Sequence, residues 1–253
     1  MGARKRFPKK IAVVDVETTG LRLNDRVVSF AMLEVSGESL VAGQPDIRGT
    51  HLIFNPQKRS QTRAREVHGY SEQELKVQEP FSLYAAEIRN ALNAADLIVA
   101  HNCAFDMRFL QYEMQLAGVG AINTRTHCTM IEYRKKYGSP ANLDHVNCAM
   151  GLPLRATTHS AFEDAQRCFL TYLWLNGVDV TAASVADQAP QNFVRTDSPA
   201  APQSEPAVIP VLRRADYKEE VDRVEYHYIS KPVPPLRPPS IIDRLFAVLF
   251  RQS

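Results

Sequence analysis

A chain of 253 residues with 45% hydrophobic and 23% charged side chains has room for one good-sized globular core plus an appendage, and its composition excludes the disordered class. The formal net charge of +2 does not announce a polyanion partner, although Arg4, Lys5, Arg6, Lys9 and Lys10 make the opening basic, and segment 1–9 reads equally well as a solvated tail. Cys103, Cys128, Cys148 and Cys168 lack the paired spacing of a zinc site or disulfide framework, no apolar run reaches the roughly 18 residues of a membrane span, and the apolar stretch after Lys10 is too soon broken by carboxylates to be an export signal, so a cytoplasmic protein with reduced thiols is expected.

Residues 10–16 form a continuous run of β-branched and apolar side chains, the pattern of a strand buried on both faces of an α/β sheet. Residues 26–35 and 50–54 read as further strands, separated by a polar stretch with Gly37, Gly43 and Pro45 that has the composition of a loop. Leu83, Ile88 and Leu92 recur at roughly helical spacing and predict a helix over 81–92; a short apolar strand at 97–100 follows, the rhythm of a βαβ unit. Phe105, Phe109, Leu110, Met114 and Ala117 make the apolar stripe of a helix over 104–117 that Gly118 is placed to end. A short strand at 124–128, helices at 130–137 and 143–150, and a last helix over 160–175 closed by Gly177 complete a domain expected to span 10–178. Ten of the sixteen prolines lie between Pro190 and Pro239, so 179–239 reads as a flexible Pro-rich linker. Residues 240–253 read as a short amphipathic helix whose Ile241, Ile242, Leu245, Phe246 and Leu249 would dock into a protein partner's groove or pack back on the chain's own domain.

Three clusters carry chemistry. Asp15 and Glu17 end the first strand two positions apart, so the pleat points both carboxylates to one side. Two neighbouring anions at the mouth of an apolar strand repel each other and are disfavoured by desolvation; a divalent cation removes both penalties. Taken alone, such a pair more often belongs to a solvated strand end, but here Thr18, Thr19 and Gly20 follow, small enough to let a phosphate or terminal sugar approach the backbone. The second cluster, His101, Asn102, Phe105 and Asp106, lies where a strand passes into a helix; an acid in a first helical turn is favoured by the macrodipole in any case, and Phe105 suits any core. The third is His159 and Asp164 around Ala161. An inward-facing Asp one turn into an apolar helix needs a partner, whereas a lone His159 is more often an ordinary surface histidine.

Together these segments resemble the motifs of the DEDDh exonucleases of the ribonuclease H-like superfamily. Asp15-Val16-Glu17-Thr18-Thr19-Gly20 is similar to the first motif, His101-Asn102-Cys103-Ala104-Phe105-Asp106 to the second and His159-Ser160-Ala161-Phe162-Glu163-Asp164 to the third. Val67-His68-Gly69 is similar to a segment of the proofreading subunits of bacterial replicative polymerases, where the histidine lies near the substrate. The resemblance covers roughly residues 11–175 and implies an α/β, ribonuclease H-like fold: a mixed five-stranded sheet flanked by helices, with the Pro-rich tail outside it.

The same resemblance implies that Asp15, Glu17, Asp106 and Asp164 hold two divalent cations, Mg or Mn, and that His159 is the general base. Thr18, Thr19, His68 and Phe105 are weaker expectations for contacts to the terminal nucleotide. The expected substrate is a nucleic acid 3′ end, with single-stranded DNA preferred, the products are nucleoside 5′-monophosphates, and proofreading or repair is the expected setting. RNA 3′-end trimming and a non-catalytic module that grips nucleic acid or a polymerase are the alternatives. A protein partner, a polymerase or another replication or repair factor, is expected to engage through the tail.

Overall fold

A computed structural model describes residues 7–42, 45–153, 158–178 and 180. The Pro-rich linker, the amphipathic helix expected over 240–253 and most of the basic opening lie outside the described residues.

Five strands form one mixed sheet in the order β3-β2-β1-β4-β5. Strand β1 (Lys10–Thr18) pairs antiparallel with β2 (Val27–Ser36) on one side and parallel with β4 (Leu97–Ala100) on the other. A strand bonded along both edges and covered on both faces has no wet side, which is why β1 reads as an unbroken apolar run. Its even positions, Ala12, Val14 and Val16, enter one core cluster, and Ile11 and Val13 enter the other. By the same alternation Asp15 and Glu17 share the face of Ile11 and Val13. The register holds as far as Glu17 and shifts between Glu17 and Thr18. Strand β3 (Ile47–Ile53) adds to β2 antiparallel, and β5 (Thr126–Cys128) adds to β4 parallel.

One face of the sheet carries α4 (Ala85–Asn93) and α5 (Cys103–Ala117), whose Ala85, Ile88, Leu92, Phe109, Leu110 and Met114 pack on Ala12, Val14 and Val16. The other carries α6 (Thr129–Tyr137), α7 (Leu143–Ala149) and α8 (Ala161–Leu175), with Ala161, Ala165, Cys168 and Phe169 of α8 against Ile11, Val13 and Val99. Both α5 and α8 fall where the apolar spacing predicts them, and α5 stops at Gly118.

Three short helices depart from expectation. The stretch read as a polar loop holds α1 (Gly37–Ala42), and β3 begins at Ile47, three residues before the expected start at 50. Neither α2 (Thr62–His68) nor α3 (Glu72–Lys76) follows an apolar stripe. The predicted helix over 81–92 is a 3-10 turn, Phe81–Leu83, leading into α4. Among the described residues no helix is long and apolar enough to cross a membrane.

Candidate active site

Because β1 and β4 run parallel side by side, with Val13 opposite Val99, their carboxyl ends open on the same edge of the sheet. That edge is where ligands bind in open α/β sheets. Asp15 and Glu17 stand at the end of β1; the end of β4 turns through His101 and Asn102 into α5 and delivers Asp106 in its first turn. Asn102 makes the turn with a positive φ of 76° and supplies no side-chain cap. The His101 ring is used locally, with Nδ1 2.8 Å from Thr129 Oγ1 and Nε2 2.9 Å from the Ala141 carbonyl. From the opposite face, α8 brings Asp164 in its first turn with His159 just before it.

The carboxylates of Glu17 and Asp164 and a ring nitrogen of His159 all lie within 4.8 Å of one another. His159 Nδ1 is 3.8 Å from Asp164 Oδ2, too long for a direct hydrogen bond, and the imidazole is about one-third exposed while Asp164 is buried. Asp106 joins through the backbone: its Oδ1 accepts from the Val16 N–H at 3.2 Å. Burial pushes the Asp106 carboxyl up to about 8; hydrogen bonds from its own amide and that of Val16 oppose the rise, and the charge of Asp164 adds to it. The thiol of Cys168, one turn beyond Asp164, is likewise raised, chiefly by burial, with Asp15 and Asp106 both contributing.

The second oxygen of Asp106, Oδ2, is buried and has no hydrogen-bond partner among the described residues. An unsatisfied carboxylate oxygen beside two further acids is a costly arrangement that a divalent cation would relieve. The donors are hard oxygens with one imidazole, a set that suits magnesium or manganese. On these observations the residues present fit a bound divalent cation.

A separate wall holds this group in place. Gly69 caps α2 with φ of 74°, and a Cβ there would lie 3.2 Å from the Thr158 methyl, so the end of α2 docks directly on the loop of His159. The His159 N–H donates to the Val67 carbonyl at 2.7 Å. At the other end of the wall, Gln61 donates from its backbone to the Thr19 carbonyl at 2.8 Å and from its side chain to Asp25 Oδ2 at 2.8 Å. A Cβ on Gly20 would run into the Gln61 amide and Asp25 Oδ2, so any larger residue there would have to displace the Gln61–Asp25 hydrogen bond.

Two of the expected nucleotide contacts are enclosed instead. The Thr19 side chain has no exposed surface; its hydroxyl accepts from the Arg26 N–H at 3.0 Å and faces Asp25 Oδ1. His68 is buried, with Nδ1 accepting from the Tyr70 N–H at 3.0 Å and Nε2 3.2 Å from Ser60 Oγ. Both brace the wall, because every polar atom of each ring or hydroxyl is turned inward. The Thr18 hydroxyl donates to the Gly20 carbonyl at 2.8 Å, and Phe105 is half-buried, edge-on to Phe109 at 4.9 Å.

The RNase T exonuclease family model matches residues 12–172, well over half of the chain. The protein belongs to this exonuclease family. Its sequence is 27% identical over 177 residues to the DNA polymerase III subunit epsilon of Haemophilus influenzae, covering 67% of this chain and 68% of that protein. A shorter stretch of 112 residues is 32% identical to the 3′-5′ exonuclease DinG of Bacillus subtilis, 44% of this chain and 11% of the other. In three dimensions it is similar to Escherichia coli exonuclease I in complex with a dT13 oligonucleotide, with a TM-score of 0.54 at 15% identity over 65% of this chain; the likeness spans 41% of that chain and concerns the fold. The mixed five-stranded, ribonuclease H-like architecture is thus shared, and the enzyme is a 3′-5′ exonuclease by family.

Sequence reasoning missed what orders this exonuclease's pocket. Asp25 is fully buried, accepting from the Arg22 N–H at 2.8 Å and from Lys58 Nζ at 2.6 Å. Hydrogen bonds to Lys58, Arg22 and Thr19 hold its carboxyl below the usual range even though burial, the largest single influence, works the other way. Glu113 on α5 is buried too and takes a bidentate pair from Arg26, 2.8 Å at both Nε and Nη2, plus the Val27 N–H at 3.0 Å. An isolated acid in a polar loop or mid-helix gives no sequence signal of such partners.

Proposed function

We propose that this exonuclease removes nucleotides from the 3′ end of DNA, single-stranded DNA preferred, releasing nucleoside 5′-monophosphates with the aid of two divalent cations. The observation that carries the reading is the convergence of Glu17, His159 and Asp164 within 4.8 Å beside a buried Asp106 oxygen that lacks a partner. Asp15, Glu17, Asp106 and Asp164 would hold the cations. Bound there, a pair of such ions supplies charge stabilisation for the attacking and leaving oxygens of an in-line displacement at phosphorus.

The chain's own residues do the rest. His159 stands at the mouth with part of its ring open to solvent, so it is placed to take a proton from the attacking water and pass it to bulk. Its backbone bond to Val67 fixes where that ring stands. Asp164 Oδ2 stands 3.8 Å from Nδ1 of that ring, so the base and the cation-holding carboxylate face the same point. Half-buried Phe105 would offer its ring to the terminal sugar or base, while Thr18, its hydroxyl held by the Gly20 carbonyl, shapes the backbone next to Glu17.

The similarity to epsilon supports proofreading or repair as the setting; capture of a polymerase or another replication or repair factor through the residues beyond 180 is proposed from their sequence alone. The reading is tested with matched 5′-labelled DNA and RNA strands and manganese, with and without EDTA. Stepwise shortening of the DNA from its 3′ end, stopped by EDTA and slower on RNA, is the expected result; replacing His159 with Ala should lower kcat by about 10²- to 10⁴-fold. Shortening that persists in EDTA, or wild-type turnover by His159→Ala, contradicts it.

A further inference from the structure

Between the first motif and the second, residues 56–67 carry Lys58, Arg59, Arg63 and Arg65 against a single acid, Glu66. This stretch lies along the wall of the catalytic pocket. Gln61 is bonded to the Thr19 carbonyl at one end, and Val67, just past the arginines, is bonded to His159 at the other. The segment therefore runs from the loop after Glu17 to the histidine, across one side of the mouth.

Its four cations are not equivalent. Lys58 is committed to Asp25 at 2.6 Å and to the Asn24 carbonyl at 2.8 Å, and so serves the loop. Arg59 reaches Glu72 at 3.1 Å. Arg63 and Arg65, both exposed on α2, form no ion pair among the described residues, and Arg65 is close enough to the His68 ring to disfavour its protonation. Two exposed guanidiniums thus stand beside a pocket built from carboxylates.

A polyanionic strand whose end enters that pocket meets like charge from the acids gathered there. Cations at the pocket serve the phosphate that is cut, whereas the phosphates upstream need their own counter-charge. Guanidiniums provide it without reading sequence. Resting on the exonuclease reading above, we infer that Arg63 and Arg65 hold the backbone phosphates of the non-terminal nucleotides of a single strand and feed its 3′ end past His159.

The test measures binding apart from cleavage. With the full chain in calcium, anisotropy of a 5′-fluorescent single-stranded 12-mer is followed across a salt series for the wild type, Arg63→Gln with Arg65→Gln, and Arg63→Lys with Arg65→Lys. The Gln pair should raise Kd on the order of tenfold and flatten the plot of log Kd against log salt by roughly 1.4, about 0.7 for each lost phosphate contact. The Lys pair should recover most of both. A Gln pair that matches the wild type in Kd and slope overturns the inference, and so does a Lys pair no better than the Gln pair, since shape rather than charge would then be at work. A wild type that binds the strand yet releases no mononucleotide in manganese sinks the exonuclease reading instead, and the two failures are told apart.

Discussion

Asp106 is held where its charge is least welcome. It is 2% exposed, one oxygen accepts from the Val16 N–H, and the other has no hydrogen-bond partner among the described residues. With its carboxyl raised to about 8 from an ordinary 3.8, the metal-free fold binds that proton more tightly than the unfolded chain does. The resulting stability is complete below about pH 4 and is lost as pH rises towards 8. In EDTA at pH 8, Asp106→Asn should therefore melt about 2–6 °C above the wild type, while hydrolysis in manganese falls at least about a hundredfold. Calorimetry of the two chelated proteins decides the first part, and a variant that melts lower than the wild type contradicts it. Manganese should then raise the melting point of the wild type and leave the variant nearly unmoved, because the site that gains from the ion is the one the substitution neutralises.

Helix α2 joins the two halves of the pocket and was the element least legible in the sequence. Residues 62–68 hold only Ala64 and Val67 as apolar side chains, so no stripe announces a helix. What fixes it is its ends: Gly69 closes it, and Ser71 with Glu74 makes a capping box that starts α3. Serine three residues before glutamate is visible in the sequence, but without an apolar run behind it the signal is weak. His68 reports on this element. Burial, with Arg65 adding, lowers its ring to about 4 from an ordinary 6.5. Between those values the unfolded chain takes up the proton and the native one does not, so stability is present above about pH 6.5 and falls as pH drops towards 4. Urea titrations at pH 7 and pH 5 should show the wild type losing about 2 kcal/mol more over that interval than His68→Asn loses. Equal losses would mean that the ring is not enclosed.

At the scale of the whole molecule, β1, β4, α5 and α8 were legible because each buries a long apolar run or stripe, and parallel pairing of the first two then brings distant acids together without further instruction. The side-chain assignments divided along a physical line. Asp164, an inward-facing acid in an apolar helix, stood out because the core would otherwise reject it, whereas Asp106, an acid in a first helical turn, was conspicuous only as part of its motif; Thr19 and His68 were expected at the substrate and have their side chains packed into the wall, since the sequence does not show which way such side chains turn. Glu113 and Asp25 escaped notice because their partners, Arg26 and Lys58, are remote in the chain. Domain limits follow the same logic. Val180 is fully buried in the cluster around α8, so a cut at 178 would strip part of the core, while a chain ending after 180 should fold with a melting point within a few degrees of the full chain and shorten naked DNA at a similar rate. Loss of the folding transition in that shortened chain would show that later residues complete the core.

The central claim is that acids from β1, α5 and α8 meet at one cation-binding site. A crystal soaked in manganese and measured at the manganese absorption edge tests it most directly. Anomalous peaks at about 2.1 Å from carboxylate oxygens of this set, lost in Asp106→Asn or Asp164→Asn, are the predicted result. A wild-type crystal in which manganese settles elsewhere, with these carboxylates bare, would contradict the account.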